Sequence, residues 1–327
     1  MQTFTCGRRD LTARARLAEI AAEMGQQMSS AALIAVDWGT SNMRARLIDA
    51  AGNVLAEAAS EDGIARVAAG GHEAAFERLV GDWPQVPAIM AGMIASRQGG
   101  READYLPCPA AVGDLAASVL RFETGNGRPV AIIPGMMVRS AARDGDVMRG
   151  EELQILGALE DLGSGRHLIC LPGTHSKWAE IENGIIRDFR TYMTGELFDL
   201  LRRHSILGTT IEHAAWSEEG FREGLAAAGA EVGLLARLFS VRAGTLLGTL
   251  PVEKSGSYLS GLLIGSEVSS ALHNIAAGSE VCIIGNPDLT DLYIPAVAGR
   301  DIRCRQLGEY IGAKGLFRLA KDLRTRR

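Results

Sequence analysis

The run Asp37-Trp38-Gly39-Thr40-Ser41-Asn42 concentrates more chemistry than any other stretch of the chain. It follows the apolar run Ala31 to Val36, which reads as a buried strand. A carboxylate at the end of such a strand is costly unless it holds a cation or hydrogen bonds. Gly39 lets the backbone approach an anion. Thr40, Ser41 and Asn42 add donors, and Arg44 adds positive charge. Backbone N–H groups in such a turn form an anion-binding concavity. The neighbouring carboxylate suits Mg²⁺, held through water because that ion keeps much of its hydration shell. Taken alone, the run also reads as an ordinary capped hairpin turn.

A second run repeats the plan. Pro172-Gly173-Thr174-His175-Ser176-Lys177 lies between the strand-like segments His167–Leu171 and Trp178–Glu182. It has small turn residues, hydroxyls and a cation. It lacks Walker A spacing, and a strand rather than a helix follows it. Two such hairpin turns, one from each half of the chain, could grip one polyphosphate from both sides.

Three further groups are candidates. Gly150-Glu151-Glu152 opens a helix, where the dipole favours a charged carboxylate that could accept the proton of an attacking hydroxyl. Its plainer role is an N-terminal charge pair. Arg97 and Gln98, in Ser96–Arg101, suit a carboxylate or polyol ligand, or else a solvated loop. Thr194 and Glu196 start another helix, Thr194 as its cap and Glu196 either as a first-turn acid or as a second acid near a substrate.

These residues need a scaffold. Strands are expected at Ala31–Val36, Met43–Asp49 and Val54–Ala58, then at Ala88–Ile94, Val130–Pro134 and His167–Leu171. Asn183-Gly184 marks a hairpin joining Trp178–Glu182 to Ile185–Arg190. Helices are expected at Glu73–Val80, Asp114–Phe122 and Glu151–Leu162, and the pattern is mostly helical from Gly195 to Asn274. Glu280–Gly285 is a late strand ending in Asn286-Pro287-Asp288. The alternation indicates a two-domain α/β protein with a cleft between the domains. The expected division is a 1–30 extension, an N-terminal domain over 31–115 and a C-terminal domain over 116–327. The extension is expected to be poorly ordered or a stray helix, with Met28 as the working start.

Bulk composition narrows the function. The 327 residues are 47% hydrophobic and 22% charged, with a net charge of −5. No basic block suggests nucleic acid; the cationic tail Lys321–Arg327 reads as a solvated helix end. No apolar run reaches the length of a membrane span. Five scattered cysteines, without a CxxC pair, argue against a disulfide framework or a zinc site and fit a reducing cytoplasm. His175 and His204 lack metal-ligand spacing.

With these residues in view, the chain resembles the sugar-kinase, Hsp70 and actin superfamily. DWGTSNMRARLID matches its first phosphate motif, PGTHSKW resembles its second, and VCIIGNPDLTDLY is placed like its adenosine-contacting turn. More narrowly, the stretch from about Leu33 to Gln306 resembles the 2-dehydro-3-deoxygalactonokinases. The likeness is carried by AVDWGTSNMRARL, AGMIASRQGGREADYLPCPA, MRGEELQILGAL, LPGTHSKW and FRTYMTGELFDLL in that order.

The resemblance implies two ribonuclease-H-like domains of the actin-like ATPase/hexokinase fold. It implies ATP-dependent phosphorylation of the 6-hydroxyl of 2-dehydro-3-deoxy-D-galactonate, with the product feeding an aldolase in galactonate breakdown. Asp37 would orient Mg²⁺. Gly39, Thr40, Ser41, Arg44, Gly173, Thr174, Lys177 and Gly285 would serve ATP, and Arg97, Gln98 and Glu196 the sugar acid. Comparison with glycerol-kinase-like relatives puts Glu151 in the place of a catalytic aspartate, with Glu152 and Glu196 as rivals. A kinase for another sugar acid, a sugar-sensing regulator and a filament-forming ATPase are alternatives on this fold. No helix-turn-helix at either end supports a DNA-binding regulator. The galacto or gluco epimer, and a homodimer, are left open by the residues themselves.

Overall fold

The structure, a computed structural model, describes residues 30–140, 143–211, 215–229, 233–308 and 311–325. The expected N-terminal extension lies outside the described residues except for Ser30. Two compact units divide the described chain: residues 30–105, 113–135 and 316–325 in the first, and 106–112 with 136–315 in the second.

The first unit is built on a six-stranded sheet ordered β3-β2-β1-β4-β7-β6. Strand β1 (Ala31–Trp38) turns into β2 (Met43–Asp49), which turns into β3 (Val54–Ser60), giving an antiparallel meander. Strands β4 (Ala88–Gly92) and β7 (Pro129–Ile132) extend it in parallel from β1. All five residues of β4 are buried, as expected of a central parallel strand. Ile34, Val36 and Trp38 of β1 pack with Ala75, Phe76 and Val80 of the helix His72–Val80.

Where a helix was expected over Asp114–Phe122, a helix at Val112–Ala117 gives way to strand β6 (Leu120–Glu123). Leu120 and Phe122 alternate with exposed Arg121 and Glu123, and β6 pairs antiparallel with β7. Sheet pairing outweighs the local helical pattern here. The domain boundary expected at 115/116 falls inside a segment of the first unit, because β6 and β7 complete its sheet.

The second unit repeats the order. Its five-stranded sheet runs β12-β11-β10-β13-β14, with β10 Arg166–Leu171, β11 Ser176–Glu182, β12 Ile185–Tyr192, β13 Glu280–Gly285 and β14 Arg303–Gly308. Again a three-strand antiparallel meander leads, and two strands extend it in parallel. Each unit therefore has the ribonuclease-H-like strand order. Asn183 and Gly184 both take positive φ, as the hairpin turn requires. The helix Glu151–Leu162 forms with its expected bounds.

A small sheet of β5 (Leu106–Pro107), β8 (Met136–Ser140) and β9 (Arg143–Met148) was not anticipated. The helical stretch before β13 includes Thr194–His204, Glu218–Ala228, Leu234–Leu246 and Val252–Ala271. Of the cysteines, Cys108, Cys170, Cys282 and Cys304 are described, and none of these four is in a disulfide. Burial pushes the Cys282 thiol up to about 12, so it behaves as a small core hydrophobe.

Candidate active site

In the first unit, β1 carries Asp37 to the start of the turn. Asp37 pairs across the sheet with Arg44 on one side and Ala91 on the other. Directly opposed residues share a face, so Arg44 lies on the Asp37 side of the sheet and Trp38 with Met43 on the other. Trp38 and Met43 are buried, whereas Asp37 and Arg44 are exposed. The carboxylate therefore opens to solvent at the tip of a buried strand, which removes the burial penalty expected from the sequence.

Thr40, Ser41 and Asn42 are exposed too. The turn is closed by Gly39 N–H donating to Asn42 O at 2.9 Å, and it is braced from behind. Ile64 N–H donates to Gly39 O at 3.0 Å and Ala65 N–H to Thr40 O at 3.1 Å. Trp38 Nε1 donates to Asp62 O at 2.7 Å.

Gly92, where β4 ends, has φ +88°. A Cβ there would lie 2.8 Å from Trp38 O and 3.3 Å from Asp37 Oδ1, so only glycine leaves the carboxylate its space. Beyond it, Arg97 and Gln98 are exposed on the short turn Arg97–Gly99. Arg97 makes an ion pair with Glu102 at 3.4 Å.

In the second unit, Gly173 and Thr174 lie in the turn between β10 and β11, the topological counterpart of the Asp37 turn. Gly285 ends β13 and occupies the counterpart of Gly92. It is buried, and a Cβ there would lie 3.4 Å from Thr290 Cγ2 and 3.9 Å from Pro172 O of that turn. Glu196 belongs to the same cluster. Its N–H donates to Thr174 O at 3.0 Å, and its carboxylate pairs with the His175 imidazole. A Cβ at Gly195 would lie 2.5 Å from Gly173 O, so this helix start and the turn are in direct backbone contact. Thr194 does not cap its helix, which begins at Thr194 with no side-chain cap.

Lys177 is almost wholly buried rather than open beside the turn. Its Nζ donates to His175 O at 3.1 Å and lies 3.2 Å from Glu151 Oε1. Glu151 is partly exposed, and its Oε2 accepts from Arg149 N at 3.0 Å. Its neighbour Glu152 is fully buried. Burial, reinforced by the nearby Glu151 charge, pushes Glu152 up to about 8. Its Oε2 accepts from Gly150 N at 2.7 Å, while Oε1 has no partner. The adjacent acids therefore differ: one reaches solvent and a lysine, the other is enclosed.

Sequence reading missed the support beneath the second turn. Ser176 Oγ lies within 3.4 Å of Gly173 N and 2.9 Å from Tyr293 Oη. Tyr293 donates to Glu267 at 2.7 Å, and Trp178 Nε1 donates to the same carboxylate at 2.8 Å. Burial raises the Glu267 carboxyl above its ordinary value. Asp146 on β9 accepts from both Thr191 N and Thr191 Oγ1, at 2.7 and 2.6 Å, tying that strand to the end of β12. Only the polar residues inside strand-like runs hinted at these partners.

With this geometry in place, comparison with known proteins decides the family. The model of the 2-keto-3-deoxy-galactonokinase family matches residues 37–319. The chain belongs to this family. The match begins at Asp37 and takes in both turns, the Glu151 helix and Glu196.

Relatives agree with that assignment. The 2-dehydro-3-deoxygalactonokinase of Escherichia coli is 38% identical over 266 residues, covering 81% of this chain and 88% of that protein. A Rhizobium meliloti protein, named as a probable kinase of the same kind, is 38% identical over 278 residues, covering 83% and 90%. The crystal structure of a Sinorhizobium meliloti protein superposes with a TM-score of 0.80 at 36% identity, covering 88% of this chain and 96% of that one.

The family's kinase chemistry makes Mg²⁺ the ion to test against these residues. Among the described residues no group of three or more His, Cys, Asp or Glu side chains forms a metal cage. Mg²⁺ retains several waters and needs only one or two carboxylates beside substrate phosphates. The exposed Asp37 carboxylate, with no side chain at Gly92 to crowd it, fits that requirement. No helix among the described residues is long and apolar enough to cross a membrane.

Proposed function

We propose that this chain transfers the γ-phosphoryl group of ATP to the 6-hydroxyl of 2-dehydro-3-deoxy-D-galactonate. The products are ADP and 2-dehydro-3-deoxy-6-phosphogalactonate. The observation that carries this reading is the family match from Asp37 to residue 319. The duplicated strand–turn–strand plan supports it, because each repeat ends in exposed backbone and hydroxyl groups suited to phosphate.

Asp37 is proposed to hold Mg²⁺ through water, and the ion would offset charge on the phosphates. The turns at Gly39-Thr40-Ser41 and Gly173-Thr174 serve the polyphosphate, with Arg44 adding charge and Gly285 serving the adenosine. Arg97 and Gln98 take the sugar acid, with Arg97 suited to its carboxylate. Glu196 is assigned to the same substrate, and its pairing with His175 couples it to the second turn.

Glu151 is the proposed base. It takes the proton as the hydroxyl oxygen bonds to the γ-phosphorus and the bond to ADP breaks. The Lys177 ammonium at 3.2 Å and the Arg149 N–H fix that carboxylate in place. Glu152 is a poorer candidate because it is fully buried. Catalysis then rests on positioning and electrostatic stabilisation. A cytoplasmic enzyme fits four described cysteines that form no disulfide.

The test is ADP release from MgATP with a panel of 2-keto-3-deoxy acids and hexoses. Release that requires the galactonate-derived acid supports the proposal. Binding without turnover would favour a sensor, and acid-independent turnover with pelleting would favour a filament. Either result would replace it.

A further inference from the structure

Glu267 is a buried acid that the proposed reaction does not use. It stands near the end of the helix Val252–Ala271 in the second unit. Tyr293 lies on the helix Pro287–Ala298, in the core that Trp178 also joins. Both acid and phenol are buried, as are Ser176 and Trp178 of β11. Buried polar groups must satisfy one another, so the direction of each hydrogen bond follows from which groups can donate.

The directions run outward from the carboxylate. Trp178 Nε1 can only donate, and it does so to Glu267 Oε1 at 2.8 Å. Tyr293 Oη donates to Oε2 at 2.7 Å. A donor on each oxygen favours the charged, acceptor-only carboxylate, against the burial that raises its pKa. Burial also raises the Tyr293 pKa, so the phenol keeps its proton and commits it to Glu267. Towards Ser176 Oγ, 2.9 Å away, Tyr293 can then only accept, and Ser176 donates. Ser176 has no proton left for the backbone. Its oxygen lies 3.4 Å from Gly173 N and 3.5 Å from Gly173 O, and it accepts from the N–H rather than donating to the carbonyl.

That choice reaches the second turn. The Gly173 N–H is tied inward, and Glu196 N–H holds Thr174 O at 3.0 Å. The backbone of the turn is thus set before a ligand arrives, as preorganised donors require. A neutral amide at position 267 would reverse the chain. Its NH₂ would donate to Tyr293, Tyr293 to Ser176, and Ser176 to Gly173 O, with Trp178 still donating to the amide oxygen.

We propose that Glu267 and Tyr293 are positioning residues for the nucleotide turn. The carboxylate sets the direction of a buried Glu267–Tyr293–Ser176 relay, which fixes Ser176 as the acceptor for Gly173 N–H. The inference rests on the assignment of that turn to ATP, but the relay itself is read without nucleotide.

The experiment follows the Gly173 amide by NMR in the full-length protein without nucleotide, and KM for ATP by ADP release. Glu267→Gln reverses the relay and Tyr293→Phe frees the Ser176 proton. Both should move the Gly173 amide proton upfield as it loses its acceptor. Each should raise KM for ATP about three- to tenfold, at most the worth of one net hydrogen bond, and leave kcat within about twofold. Ser176→Ala should give the same shift, and Glu267→Gln added to it should move the amide no further. Tyr293→Phe decides the matter if Glu267→Gln fails to fold. An amide that ignores either change, or that responds equally with and without Ser176, would overturn the relay. A responding amide with an unmoved KM for ATP would overturn the nucleotide role, and with it the reading of the turn on which that role rests.

Discussion

The ammonium of Lys177 lies 3.2 Å from Glu151 Oε1, joining the strand after the second turn to the first residue of a helix. Sequence had assigned the two residues separately, one to phosphate and one to proton transfer. Their pairing makes the lysine a positioning group for the base. Glu151→Gln should lower kcat by about 10²- to 10⁴-fold, the usual worth of a general base, with little change in KM for ATP. Steady-state kinetics decide the point. An unchanged kcat would remove Glu151 from the mechanism.

Glu152 gives a pH signature. Its carboxyl is raised from an ordinary 4.5 to about 8 in the fold, chiefly by burial. Between those values the folded state binds a proton that the unfolded state has released. That contribution to stability is fully present below pH 4.5 and is lost as pH rises through 8. Thermal melts of wild type should therefore fall from pH 5 to pH 8 more steeply than those of Glu152→Gln. The variant should be the more stable of the two at pH 8 and should keep substantial activity. Parallel melting curves would contradict the assignment.

Gly195 tests the seating of the second turn. A Cβ there would lie 2.5 Å from Gly173 O and 2.8 Å from Thr174 Cα. Gly195→Ala must displace the turn. KM for ATP is expected to rise about tenfold, since a turn that misplaces its donors loses roughly one hydrogen bond's worth of binding. Kinetics with varied ATP measure this, and an unchanged KM would separate that turn from the nucleotide.

Arg128 offers a stability test away from the chemistry. Its side chain is 1% exposed, paired with Glu77 at 3.1 Å and donating to Pro84 O and Val86 O at 3.0 and 2.9 Å. Glu77→Ala leaves this buried cation without its counter-ion. A loss of about 3 kcal/mol is expected, as for broken buried pairs. Urea denaturation measures it, and a loss below about 0.5 kcal/mol would show that the two carbonyls suffice.

The legible part of the fold was the part written locally. Both meanders, the Asn183-Gly184 hairpin and the Glu151–Leu162 helix follow from short-range pattern and turn chemistry. Strand β6 did not, because Leu115, Ala116 and Leu120 also fit a helical spacing until β7 offers them an edge. The hairpin β8–β9 is short and rich in charge, with little alternation to read. At the site, Asp37, Gly173 and Glu151 stood out by type and place. The groups that hold them did not: Ser176 meets Tyr293, and Trp178 meets Glu267, across long loops of chain. Such pairs exist only once the sheet has formed. His72 stood just outside the expected helix Glu73–Val80, and only the fold reveals that its buried nitrogens have no partner.

The most direct measurement is turnover by Asp37→Ala, made alongside its thermal melt. Asp37 is exposed and contributes little to the core, so the melt should stay close to wild type. Turnover with MgATP and 2-dehydro-3-deoxy-D-galactonate should fall by about 10³-fold or more, as expected when phosphate charge loses its organising ion. A folded variant that still phosphorylates the acid at near wild-type rate would contradict the assignment of Asp37 to the phosphate site.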